Sequence, residues 1–202
     1  MTKEEFALRL KNACAAVCAA QEELTEIDSK FGDADHGLTM TKIAGAIAGA
    51  VDTAEGGIQS MLDAAAMAVM SLNGGSAVPL WNTWLDGLQE EAPEGEIIDT
   101  AGVKTIFARA LEELSDMSGA KVGDKTMMDA LIPASEAIAA YTGEDIDQLF
   151  AAAAEAAAQG AEKSREFVSK FGRAKSYGVK TIGTPDAGAV SMSCFFQGLA
   201  RR

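Results

Sequence analysis

At 202 residues the chain is long enough for one sizeable core, and 48% hydrophobic with 23% charged residues is ordinary globular composition. A net charge of −13 argues against nucleic acid or an anionic membrane surface as a partner, because either would need a basic face. A phosphate bound to so acidic a chain would need metal ions to compensate its charge. Three cysteines are too few for a disulfide framework, and Cys14 and Cys18 are spaced like core positions one helical turn apart. A zinc site on them would lack further ligands. They read as reduced thiols in a cytoplasmic protein. The opening MTKEEFALRL is too charged for the apolar stretch of a signal peptide, and no run approaches 18 apolar residues.

Helical periodicity runs from end to end. In residues 3–24, Phe6, Leu10, Cys14, Val17 and Leu24 share one stripe, which predicts the first amphipathic helix. It leads into EIDSKFGDADHGLTM, residues 26–40, where Asp28, Asp33, Asp35 and the sole histidine, His36, fall close together. Carboxylates this close repel one another unless a positive charge sits among them. Three hard oxygen ligands suit Mg²⁺, which favours a few carboxylates plus waters and substrate phosphates. An EF-hand is excluded, since its fifth position would be Gly37 and its twelfth Ala44, counting from Asp33. The plain alternative is that the aspartates cap the helix predicted over 38–51.

The next helix is predicted over 59–72, followed by NGGSAVP, 73–79. Its glycines let a ligand approach the backbone, and Pro79 suits the first position of a helix over 80–91, although a simple turn has the same appearance. Residues 100–117 repeat Val103, Ile106, Phe107, Ala110, Leu111, Leu114 and Met117 at intervals of three and four. GDKT at 123–126 invites a P-loop reading, which fails because Asp124 separates Gly123 from Lys125 and no strand precedes it. Helices over 127–141 and 145–170 follow, the latter containing the alanine tract AAAAEAAA. Segment 171–188 concentrates Arg173, Lys175 and Lys180, a basic excess that is either a solvated loop or a phosphate contact. A helix over 187–200 completes eight, with no segment alternating at period two. Short connections between eight amphipathic helices predict an all-α, antiparallel bundle or closed ring, one domain spanning 1–202.

Taken in order, IDxxxGDADHGLxM, GGSAVPLW, GDKTMMDAL.P and GRAKSYGVKTIGTPDAGA closely resemble the nucleotide-binding (L) subunit of dihydroxyacetone kinase over nearly the whole chain. The resemblance implies a closed barrel of eight antiparallel helices, with Mg²⁺ and ADP or ATP bound at one end. It implies that Asp28, Asp33 and Asp35 are the metal ligands and that His36, Gly37, Leu38 and Thr39 lie against the phosphates. Ser76 and Ala77 follow in the glycine loop, Gly119 and Met127 lie near the base, Arg173 near the phosphates, and Asp186, Ala187 and Gly188 close the site. Family members commonly read GGxSGP and DPG where this chain has Ala77-Val78 and Asp186-Ala187-Gly188, which leaves room for another small ketose as acceptor.

In that family the ketone is held by a different subunit or domain through a histidine, whereas this chain's one histidine lies in the nucleotide motif. The resemblance therefore implies half a kinase that works with a substrate-binding subunit. Either ADP stays bound as a cofactor recharged by a phosphohistidine phosphocarrier of the phosphotransferase system, or ATP exchanges as a substrate. A separate short chain suits the first. A nucleotide-bound regulator that contacts a transcription factor is the alternative of a different class, and a homodimer stays open.

Overall fold

Several helices start or stop for a local reason. Thr2 and Glu5 form a reciprocal capping box at α1 (Lys3–Ala19). Asp99, Asp145 and Asp186 accept backbone N–H groups at the starts of α6 (Thr100–Ser118), α8 (Ile146–Lys163) and α9 (Ala187–Leu199). Gly119 closes α6 in the left-handed region, at φ 64°. The remaining elements of the computed structural model, which describes residues 1–202, are α2 (Gln21–Ser29), α3 (His36–Thr53), α4 (Ile58–Met70), α5 (Ala77–Glu90) and α7 (Met128–Ala140). There is no β-strand, only one isolated bridge between Thr2 and Ile97.

The fold is all-helical and closes on itself. From α3 to α9 each helix packs on the next, α9 packs on α1, and α1 packs on α3, so eight helices form the ring and α2 lies across α3 and α9. Neighbours run antiparallel. Lys11 pairs with Asp52 at 2.7 Å while Lys3 Nζ donates to the Ala54 carbonyl, fixing α1 against α3. Asn82 Nδ2 donates to the Ala66 carbonyl across α4 and α5, and Arg109 pairs with Glu90 across α5 and α6.

Three element boundaries differ from expectation. The predicted helix 3–24 is two helices hinged at Ala20 (φ −89°, ψ 5°), a break that no glycine or proline marks and that lets α2 cover the ring. The predicted helix 145–170 ends at Lys163, passes through a short 3₁₀ turn (Ser164–Glu166), and continues as a strap containing a 3₁₀ run (Arg173–Thr181). Pro79 is the third residue of α5 rather than its first.

Aromatic rings fill the centre. Trp84 meets Trp81, Phe107 and Phe195 edge to face, with centroids 5.6, 6.0 and 5.4 Å away, and Phe107 meets Phe150 at 5.9 Å. Helices close up where side chains vanish: a Cβ on Gly198 of α9 would lie 2.3 Å from the Ala13 Cα of α1. At the end that holds both termini, buried Arg9 donates to the Leu199 carbonyl at 2.9 Å and pairs with Asp147, joining α1, α8 and α9. Because Phe107 is fully packed at the ring centre, Phe107→Ala should cost about 3–5 kcal/mol in urea unfolding. A loss below about 1 kcal/mol would mean the core is looser than described.

Candidate functional site

Alternation around the ring places the N-termini of α3, α5, α7 and α9 at one end, and a ligand-sized cleft of about 480 Å³ opens among them. Free N–H groups and the positive ends of helix dipoles attract anions there. Asp186, the N-cap of α9, accepts from that helix's first turn, whereas the N-cap side chains of α3, α5 and α7 make no such bond.

Facing these helix ends is the acidic cluster. Asp28 from α2 and Asp33 and Asp35 from the α2–α3 loop bring carboxylate oxygens within 4.8 Å of one another. Asp28 is aimed by its neighbours, because Oδ2 accepts from the Asp35 and His36 N–H groups at 3.1 and 3.4 Å. Gly32 makes this geometry possible, as a Cβ there would lie 2.0 Å from Asp28 Oδ1. Burial and then repulsion from Asp33 hold the Asp35 carboxyl above the ordinary range. The one close counter-charge is Arg173, whose guanidinium lies 2.6 Å from Asp33 on a largely exposed side chain. Three clustered carboxylates with spare oxygens are a donor set that fits a hard divalent cation.

His36 is part-buried at the start of α3. Its Nε2 lies 3.2 Å from Ser191 Oγ, which donates to the Gly188 carbonyl at 2.9 Å, so the ring donates to Ser191. Burial lowers its pKa, leaving it neutral near pH 7 and a hydrogen-bonding wall rather than a counter-charge.

Asp28, Asp33, Asp35, His36, Thr39, Ser76, Ala77, Met127, Arg173, Asp186, Ala187 and Gly188 all line the cleft. Three other expected residues do not. Gly37 packs against α2, where a Cβ would lie 2.2 Å from the Gln21 carbonyl oxygen; Leu38 points outward and is half exposed; and Gly119 serves as the left-handed end of α6. Sequence reasoning missed Trp81 at the cleft floor, the pair Lys125 and Thr126, and Ser169 and Phe171 on the strap. Trp81 reads as a core position by periodicity and is one, since the floor of the cleft is also the top of the aromatic core. Phe31 also went unnamed, although it lies inside the acidic motif; it lines the cleft, and its ring meets Tyr177 edge to face at 5.2 Å, joining the strap to the acidic loop.

Asp186 caps α9 by accepting from Ala189 N–H at 2.8 Å, and burial pushes its carboxyl up to about 7. Its folded pKa exceeds the ordinary 3.8, so its stabilising contribution is full below pH ~4 and is lost as pH rises through about 7. Asp186→Asn keeps a capping oxygen and cannot ionise. In metal-free urea unfolding the variant should gain on the parent between about pH 4 and about pH 7. A pH-independent difference would contradict a buried, proton-holding Asp186.

Comparison with known proteins fits this geometry. The DAK2 domain matches residues 30–201. The chain is 35% identical to the L-erythrulose kinase of Pectobacterium atrosepticum over 199 residues, 93% of this chain but 32% of that protein, so it spans about a third of that relative. It is 27% identical to the ADP-binding subunit DhaL of the PEP-dependent dihydroxyacetone kinase of Escherichia coli, covering 93% of this chain and 91% of the subunit. In structure it resembles the dihydroxyacetone kinase of C. freundii, with a TM-score of 0.76 at 23% identity over 96% of this chain and 34% of that one. With the family signature covering all but its first two helices, and with the helical ring and end-on cleft in place, the chain belongs to the DAK2 domain family.

Proposed function

We propose that this chain is the nucleotide-binding half of a small-ketose kinase, binding ADP or ATP with Mg²⁺ in the end-on cleft and acting on a ketone presented by a separate substrate-binding subunit or domain. The observation that carries the proposal is the meeting of four helix N-termini with a three-carboxylate cluster in one cleft. Helix ends attract phosphate, and carboxylates repel it. One ligand satisfies both only if a cation lies between the diphosphate and the aspartates.

Asp28, Asp33 and Asp35 would hold Mg²⁺, which when bound neutralises charge on the transferring phosphoryl group. The protein's own part is positioning. Backbone N–H groups at Ser76, Ala77 and the start of α3 would orient phosphate oxygens, and Arg173, paired with Asp33 on an exposed side chain, is the cation within reach of them. Strap residues Phe171, Arg173 and Ala174 line the cleft, and the Phe31–Tyr177 pair joins that strap to the acidic loop. No covalent intermediate on this chain is required, and the sole histidine, committed to Ser191, cannot also tether a ketone.

Similarity to separate DhaL subunits described as ADP-binding and PEP-dependent supports bound ADP recharged by a phosphohistidine phosphocarrier. Identities of 35%, 34% and 31% to erythrulose kinases support a small ketose as acceptor. Calorimetry should show ADP binding in Mg²⁺ and at least a ~100-fold loss in excess chelator, since the acidic cleft has no other adequate counter-charge. Unchanged affinity without metal would remove the aspartate assignment.

Asp33→Asn should abolish phosphoryl transfer in a mixture with a ketose-binding subunit and phosphoryl donor. Its melting temperature without metal should stay within about 2 °C, because relief of repulsion offsets loss of the exposed Arg173 pair. Full transfer by the variant, or equal turnover by the isolated parent chain, would sink the half-kinase reading.

A further inference from the structure

The GDKT segment of the α6–α7 loop has no role in the function above, yet it holds the least ordinary residue in the molecule. Lys125 sits at φ 61° without being glycine, is only 4% exposed, and lines the cleft. A left-handed non-glycine costs about 1 kcal/mol or more and persists where surrounding contacts over-determine it. Burying an ammonium adds to that cost, and burial lowers its pKa. No carboxylate lies within ion-pair distance of it. Its Nζ instead donates to two backbone carbonyls, Ser164 at 2.6 Å and Thr184 at 2.5 Å.

Both ends of this chain of contacts are fixed. Upstream, the buried Asp129 carboxylate accepts from Gly123 N–H at 2.6 Å and Thr126 N–H at 2.7 Å, clamping the backbone on either side of Lys125. Asp124 accepts from Lys121 N–H and pairs with Lys170 of the strap. Downstream, Ser164 is fully buried at the end of α8, and its Oγ accepts from Asp186 N–H at 2.8 Å while donating to the Ala161 carbonyl. Thr184 lies two residues before Asp186, the cap of α9. Lys125 thus grips the two points from which the first turn of α9 is hung, and Asp186, Ala187 and Gly188 of that turn line the cleft.

We infer that Lys125 is a positioning residue for the nucleotide: its ammonium ties the α6–α7 loop to the α8–α9 segment and so sets the cleft wall formed by the start of α9. In a P-loop the lysine would reach the phosphate; here it holds the backbone that meets the ligand. The inference rests on the nucleotide reading for its ligand, but the tie itself is a property of the protein alone.

Lys125→Met keeps the length of the side chain and removes its donors; Lys125→Gly also removes the left-handed strain, and so serves if the methionine variant does not fold. Amide hydrogen exchange on the ligand-free chain should quicken about tenfold or more across residues 183–189, with α4 unchanged, once the two donors are gone. Mg-ADP affinity, measured by calorimetry well below the melting temperature, should fall about tenfold or more, while Mn²⁺ binding in the absence of nucleotide stays within about twofold. A purely stabilising lysine would lower the melting temperature and leave both the exchange pattern and the affinity of the folded protein in place. Parental exchange rates at 183–189, or an ADP affinity within about twofold of the parent, would overturn the inference. If the parent itself binds no Mg-ADP, the nucleotide reading fails, and the exchange result alone decides whether Lys125 holds the α9 start.

Discussion

Alternation of direction around a closed ring is the constraint on which the rest depends. Eight helices, each antiparallel to its neighbours, place four N-termini at one end and four at the other. Where α3, α5, α7 and α9 begin, the positive ends of four helix dipoles gather in a small space, and an anion is the natural occupant. At the opposite end, where the chain termini lie, the corresponding groups are handled internally: the Thr2 and Glu5 box caps α1, Asp99 and Asp145 cap α6 and α8, and Arg9 joins the Leu199 carbonyl and Asp147. One end is closed and the other is left to a ligand.

The two charge patterns at the open end conflict unless they share a third partner. Helix ends present positive potential, whereas Asp28, Asp33 and Asp35 present three carboxylates, and burial together with repulsion from Asp33 holds the Asp35 carboxyl above the ordinary range. Arg173 relieves part of this at Asp33 from an exposed position, where such a pair contributes little. A divalent cation bridging carboxylates and phosphates satisfies both patterns at once. The aromatic core matters here because Trp81 belongs both to it and to the cleft floor, so the rigidity of the ring centre is transmitted to the site.

The helical ring was largely legible because periodicity and punctuation agree along most of the chain, as at Gly119 and at the caps Asp99 and Asp145. The break at Ala20 was not, since alanine and glutamine favour helix and only packing of α2 across α3 and α9 decides it. The helix predicted over 145–170 overran its end at Lys163 because apolar Ala157, Ala161 and Val168 still recur at helical intervals of four and seven. Most of the candidate site could be named from its motif, yet Gly37, Leu38 and Gly119 lie off the cleft, for a motif records packing and turn requirements together with ligand contacts. Lys125 went unread because its importance lies in two carbonyls 39 and 59 residues away, which no local pattern carries.

The proposed function depends on one bridge, from the three aspartates through a cation to the phosphates. Electron–nuclear double resonance on the protein with Mn²⁺ and ADP tests it directly. Bound Mn²⁺ should show ³¹P coupling from ADP, and both the bound-metal signal and the coupling should disappear when Asp28, Asp33 and Asp35 are replaced together by asparagine. Tightly bound ADP with no ³¹P coupling to the metal, or coupling that survives the triple replacement, would contradict the account.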